Sequence, residues 1–254
     1  MTNLPVGSIG GLVVGLSLMV GALIAVRAHL HETTAALITS YGGGILLAAV
    51  ALELVPEADA RTTPLNVAIG LLAGTLIYLG ADKLLSSNEQ RETMHRSAQA
   101  AAAGGQMMPG VNSEAERGSS IAIGIFIDGV PESMALGLTI AGGEIGIALA
   151  AGILIGNVTE AYGAVQPMLA GGYTTQRSLR IIGSIAGILV LATIAGGTVL
   201  ASAPPDVIGI SQAIAAGAVL AVLAVAIIPN AFEKVSREVA IALMLGFVTG
   251  YALG

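Results

Sequence analysis

The stretch Gly124-Ile-Phe-Ile-Asp-Gly-Val-Pro-Glu-Ser133 sets two carboxylates, Asp128 and Glu132, in the middle of the apolar run Ser119–Ile140. A second stretch, Gly152-Ile-Leu-Ile-Gly-Asn-Val-Thr-Glu-Ala161, sets Asn157 and Glu160 inside the run Gly146–Leu169. The two stretches share Gly, both Ile, Val and Glu, five of ten positions at a constant offset of 28. Each run has about the 20 residues that a helix needs to cross a bilayer. An uncompensated carboxylate at mid-bilayer depth costs about 2.5–3.5 kcal/mol on insertion scales. No Lys, Arg or His lies in the interior of any apolar run, so relief must come from protons or from a bound cation.

The rest of the chain fits that setting. Of its 254 residues 55% are hydrophobic and only 10% charged, with mean hydropathy +0.87. A soluble domain carries about 25% charged residues, so a water-facing globule is excluded. Cysteine is absent, which removes disulfides, thiolate metal sites and Cys nucleophiles. A net charge of −6 argues against a nucleic-acid partner. The expected fold is all-α, a polytopic membrane protein forming one transmembrane domain over residues 1–254 and embedded in the lipid bilayer.

Eight runs qualify as transmembrane helices: Ile9–Val26, Thr34–Val55, Val67–Leu85, Ser119–Ile140, Gly146–Leu169, Leu179–Ala201, Ile208–Asn230 and Val239–Leu253. The first has no basic residues before it and Arg27 after it, so it reads as a retained span and not as a cleaved signal. The segment 86–118, rich in Ala, Gly, Gln, Glu and Ser, reads as a flexible cytoplasmic loop. Nine of the ten Lys and Arg residues fall on one side of this arrangement, with Arg61 alone on the other. Because cytoplasmic loops accumulate basic residues, both termini are expected outside the cytoplasm, in the cell membrane. Gly44–Ala58 also resembles Gly217–Ala231, sharing Gly, Leu, Ala, Ala, Pro and Ala at an offset of 173. Likeness between oppositely directed spans predicts inverted-repeat pseudo-symmetry, a common plan for secondary transporters.

Spacing gathers the polar groups. Asp128 and Glu132, four apart, share a helix face, as do Asn157 and Glu160, three apart. Pro131 has no amide hydrogen and leaves the Ile127 carbonyl without its helical donor, beside Asp128; Pro167 does the same for Gly163. Protonated acids acting as interhelical hydrogen-bond glue are one reading of such groups. Three acids with an amide and a proline within the two related stretches favour the other, a cation site formed by Asp128, Glu132, Asn157 and Glu160.

These motifs resemble those of the ZIP family (Zrt- and Irt-like proteins) of divalent-metal transporters, and the resemblance covers nearly the whole chain. The family's fourth span typically reads His-Asn-x-Pro-Glu-Gly, where this sequence has Asp128-Gly-Val-Pro-Glu-Ser133. Its fifth span has a related motif, here Gly156-Asn-Val-Thr-Glu-Ala161. The third-span stretch Ala68–Lys83 and the Leu54-Val-Pro-Glu57 ending of the second are also similar. The resemblance implies that Glu132 and Glu160 coordinate metal, that Asn157 is a further ligand, and that Asp128 stands in for a metal-binding His. It implies too that spans 1, 4, 5 and 6 form a transport unit. Gly129 and Gly156 replace two side-chain ligands, and the position nearest to a frequent sixth-span glutamate is Gly187. A single-metal site is therefore expected.

The expected function is a secondary transporter, not an enzyme, admitting a divalent metal to the cytoplasm. No cofactor is permanently bound, and the cargo is Zn, Mn, Fe or Mg. Carboxylate and amide oxygens without imidazole suit harder ions such as Mn²⁺ or Mg²⁺, whereas family analogy keeps zinc open. The alternatives are a permease coupled to protons or monovalent cations, and a degenerate ZIP-like protein that senses or scaffolds. Glu53 and Glu57 are candidates for an outer vestibule or an interfacial anchor. His29 and His31 are candidates for a cytoplasmic exit or ordinary loop histidines. Glycines at four-residue spacing (Gly7, Gly11 and Gly15; Gly70 and Gly74; Gly246, Gly250 and Gly254) fit close helix packing or a homodimer interface.

Overall fold

A computed structural model describes residues 4–85, 114–141 and 146–254, and every element among them is helical. In chain order these are α1 (Leu4–Arg27), α2 (Glu32–Ala49), α3 (Val55–Arg61), α4 (Pro64–Leu85), α5 (Glu114–Ala141), α6 (Ile147–Ala170), α7 (Thr175–Thr198), α8 (Pro205–Val222), α9 (Ile228–Val235) and α10 (Glu238–Leu253). Single π-helical turns, Val50–Leu54 and Leu223–Ile227, join α2 to α3 and α8 to α9, making two long rods. Each π turn ends two residues before a proline, Pro56 or Pro229. A proline ring clashes with the carbonyl four residues earlier in an α-helix. Those carbonyls, of Leu52 and Val225, both belong to the widened turns, which give them room.

Several helices start ahead of their apolar runs, whereas α7 ends at Thr198, short of the expected Ala201, and a 3₁₀ turn over Leu200–Ser202 follows. α7 begins at Thr175, ahead of the first leucine, because Thr174 caps it: its hydroxyl accepts from the Arg177 amide at 3.2 Å. Glu114–Gly118, expected in the loop, form the start of α5 instead. The remainder of the expected flexible loop, 86–113, lies outside the described residues. Gly146, at φ +52°, turns the chain into α6.

Seven helical segments are long and apolar enough to cross a membrane, and α10, at 16 residues, is a shorter apolar helix. The chain is thus a multi-pass membrane protein. Large apolar side chains such as Leu12, Leu72, Leu191 and Leu245 cover the outer surface, as a lipid-facing bundle requires. Inside, α1, α5, α6 and α7 pack on one another as a four-helix group. α2 pairs with α10 and also meets α6; α4 pairs with α8, which also meets α5.

Glycines set these seams. A Cβ at Gly44 would run into the Leu243 carbonyl and one at Gly246 into that of Tyr41, between α2 and α10. Likewise a Cβ at Gly217 would strike the Leu71 carbonyl and one at Gly74 that of Ile214, between α8 and α4. Gly11 and Gly15 face Val190 of α7. Of the glycines singled out in the sequence, Gly11, Gly15, Gly70, Gly74, Gly246 and Gly250 thus all face neighbouring helices of the same chain. Gly217→Ala is expected to destabilise the protein by about 1–3 kcal/mol. Gly80→Ala, with nothing within 4 Å of its Cβ, should be neutral or slightly stabilising. Unfolding of both variants in detergent, followed by circular dichroism, checks the contrast.

Candidate metal centre

α5 carries Asp128 and Glu132 one turn apart, each only 6% exposed. α6 carries Asn157, 2% exposed, and the partly buried Glu160. Both helices stay α-helical through their internal prolines, Pro131 and Pro167. Glu160 lies within electrostatic reach of Asp128 and of Glu132, and the two α5 acids are within reach of each other. Among the described residues, however, no three His, Asp or Glu side chains gather closely enough to hold one ion jointly. Mutual repulsion of ionised carboxylates opposes such an approach until positive charge arrives.

Two partners reach these groups from other helices. A side-chain hydrogen bond joins Tyr78 of α4 to Asp128, and the Asp128 Oδ1 atom is buried without a hydrogen-bond partner among the described residues. Asp82, one turn along α4, lies within electrostatic reach of both. From α1, Ser17 accepts a hydrogen bond from the Asn157 amide at 3.0 Å. Sequence reasoning singled out neither Tyr78 nor Ser17. Their signal was present: a phenol and a hydroxyl each standing in an apolar run with few other polar groups.

The sequence matches no protein-family model and no curated protein. Gly156 lies beside Glu160, whose Oε1 would be 3.9 Å from an added Cβ, so the absence of a side chain there leaves room next to the carboxylate. Gly129 is filled differently: Leu189 of α7 packs against it so closely that any side chain would displace the leucine. Gly187 is exposed on α7, with no atom of the described residues within 4 Å of an added Cβ.

The peripheral candidates separate by their contacts. Glu57 pairs with Arg61 at 3.3 Å and accepts a hydrogen bond from the fully buried Gln212 of α8. Arg61 in turn donates to the Gln212 Oε1 at 2.7 Å. This triangle ties α3 to α8, the arrangement of an anchor. Glu53 sits in the first π turn, against Gly254. His29 and His31 are exposed in the loop after α1. Gln166 of α6 donates to the carbonyls of Ala25 (2.6 Å) and Ala28 (3.1 Å) and lies 3.3 Å from His29 Nδ1. Tyr162 accepts from the Leu30 amide at 2.6 Å, so α6 pins the loop that carries both histidines.

Gln212→Leu should destabilise the protein by about 2–3 kcal/mol, because it removes a hydrogen bond to each of two charged groups, Glu57 and Arg61, at a half-buried seam. Chemical denaturation in detergent measures the loss, and Gln212→Glu should not restore it, since a second carboxylate would face Glu57.

Proposed function

We propose that the chain is a ZIP-like secondary transporter that passes a divalent metal to the cytoplasm through one site formed by Asp128, Glu132, Asn157 and Glu160. The observation that carries this reading is the burial of Asp128 and Glu132 on α5 within electrostatic reach of Glu160 on α6, with Asp128 Oδ1 unsatisfied. Acids at that depth are functional by default. The cargo meets carboxylate and amide oxygens and no imidazole, a donor set suited to Mn²⁺ or Mg²⁺ and acceptable to zinc.

An inverted repeat with eight spans accounts for several independent features. The π turns Val50–Leu54 and Leu223–Ile227 sit 173 residues apart, the offset that relates Gly44–Ala58 to Gly217–Ala231. The close approaches of Gly44 and Gly217 to the neighbouring backbone are a matched pair at that offset, and so are the carbonyls of Tyr41 and Ile214. The packing of α2 with α10 corresponds to that of α8 with α4, and α2 on α6 to α8 on α5. In this arrangement the group α1, α5, α6 and α7 is the transport unit, held between two glycine-locked pairs. Both termini and Arg61 face outward, with the other basic residues in the cytoplasm.

A permease carrying protons on the same acids is the second reading, favoured by the finding that no three of the described acidic or His side chains gather around one point. Uptake into proteoliposomes loaded with a chelating dye separates the two. Mn²⁺ or Zn²⁺ influx is expected for the wild type and a loss of at least tenfold for Glu132→Ala and Glu160→Ala, each removing a charged ligand. Equal influx by the glutamate variants would remove the site assignment, and proton flux without metal flux would favour the permease.

A further inference from the structure

Ser17 stands in the middle of α1, 4% exposed, among Gly, Val, Leu and Met. Its hydroxyl donates to the Val14 carbonyl, one turn back in its own helix, at 2.7 Å. With its one proton committed there, the oxygen can meet α6 only as an acceptor. Asn157 meets it with the amide nitrogen, at 3.0 Å, and its side chain makes no other hydrogen bond among the described residues.

The relay from Asn157 to Ser17 to Val14 therefore decides which end of the amide is spent on α1 and which is left over. The two ends have opposite consequences beside acids that share a cation. An NH₂ group adds positive partial charge and cannot ligate, whereas the carbonyl oxygen adds a neutral, hard donor of the kind oxygen-ligated dications accept. We propose that Ser17 is a positioning residue for ion binding: by taking the Asn157 NH₂ group, it leaves the Asn157 Oδ1 to the cation. α1 thereby helps set affinity for oxygen-ligated dications without touching the ion. The inference rests on the cation-site reading given above.

A double-mutant cycle in the full-length purified protein tests it, with Mn²⁺ binding followed by calorimetry in detergent and folding by thermal melting. Ser17→Ala frees the amide to turn and should weaken Mn²⁺ binding roughly threefold to tenfold, the range of one neutral hydrogen bond. Ser17→Thr, which keeps the hydroxyl, should restore it. Asn157→Asp presents an oxygen whichever way it turns, so adding Ser17→Ala to it should change Mn²⁺ affinity by less than about twofold. Should Ser17→Ala melt too early to titrate, Ser17→Cys, with its weaker thiol, should show an intermediate loss.

Unchanged affinity in Ser17→Ala, or an equal loss in both backgrounds, would overturn the inference and mark the contact as ordinary packing between α1 and α6. A wild type that binds no Mn²⁺, or glutamate variants that bind it as the wild type does, would overturn the cation-site reading and this inference with it.

Discussion

The constraint on which the rest depends is the removal of carboxylates from water without a basic partner. Asp128 and Glu132 are nearly sealed within the bundle, Glu160 is close enough to repel both, and the runs around them supply no cation of their own. In a medium of low polarity such charges interact far more strongly than at a surface. Tyr78 of α4 reaches Asp128, and Ser17 of α1 reaches Asn157, one turn before Glu160 on α6. The Tyr78 contact ties the four-helix group to α4, and the Ser17 contact lies within the group.

Around this polar centre the bundle is built from close backbone approaches. In lipid there is little hydrophobic gain from bringing one apolar helix against another, so packing and small residues must do it. Gly44, Gly74, Gly217 and Gly246 each admit a neighbouring carbonyl where a methyl group would collide. Such seams leave no room for a methyl group, whereas the π turns beside Pro56 and Pro229 are places where the helix has already given up regular bonding. Each of the two rods thus carries one close-packed seam, on α2 or α8, followed by one irregular turn.

Most of the helical framework was legible in the sequence because hydropathy acts locally. Boundaries were missed where polar residues extend a helix: the Thr174 cap and the first turn of α7 lie outside any apolar run, as does the charged start of α5 at Glu114. The prolines at 56 and 229 were visible, but the π turns ahead of them depend on how a clash is relieved, which composition does not encode. Within the site, the shared faces of Asp128 with Glu132 and Asn157 with Glu160 follow from helical spacing alone. The pairing of Asn157 with Ser17, 140 residues away, follows only from tertiary packing. The exposure of Gly187 on α7 is likewise set by tertiary packing, which the motif alone does not report.

The central claim is that acids from α5 and α6 share one dication. Anomalous-difference maps from crystals soaked in Mn²⁺ test it most directly. A single peak is expected between the two helices, roughly 2.0–2.6 Å from oxygens of Glu132 and Glu160. A map with no peak there, or with manganese only at exposed positions such as His29 and His31, would contradict it.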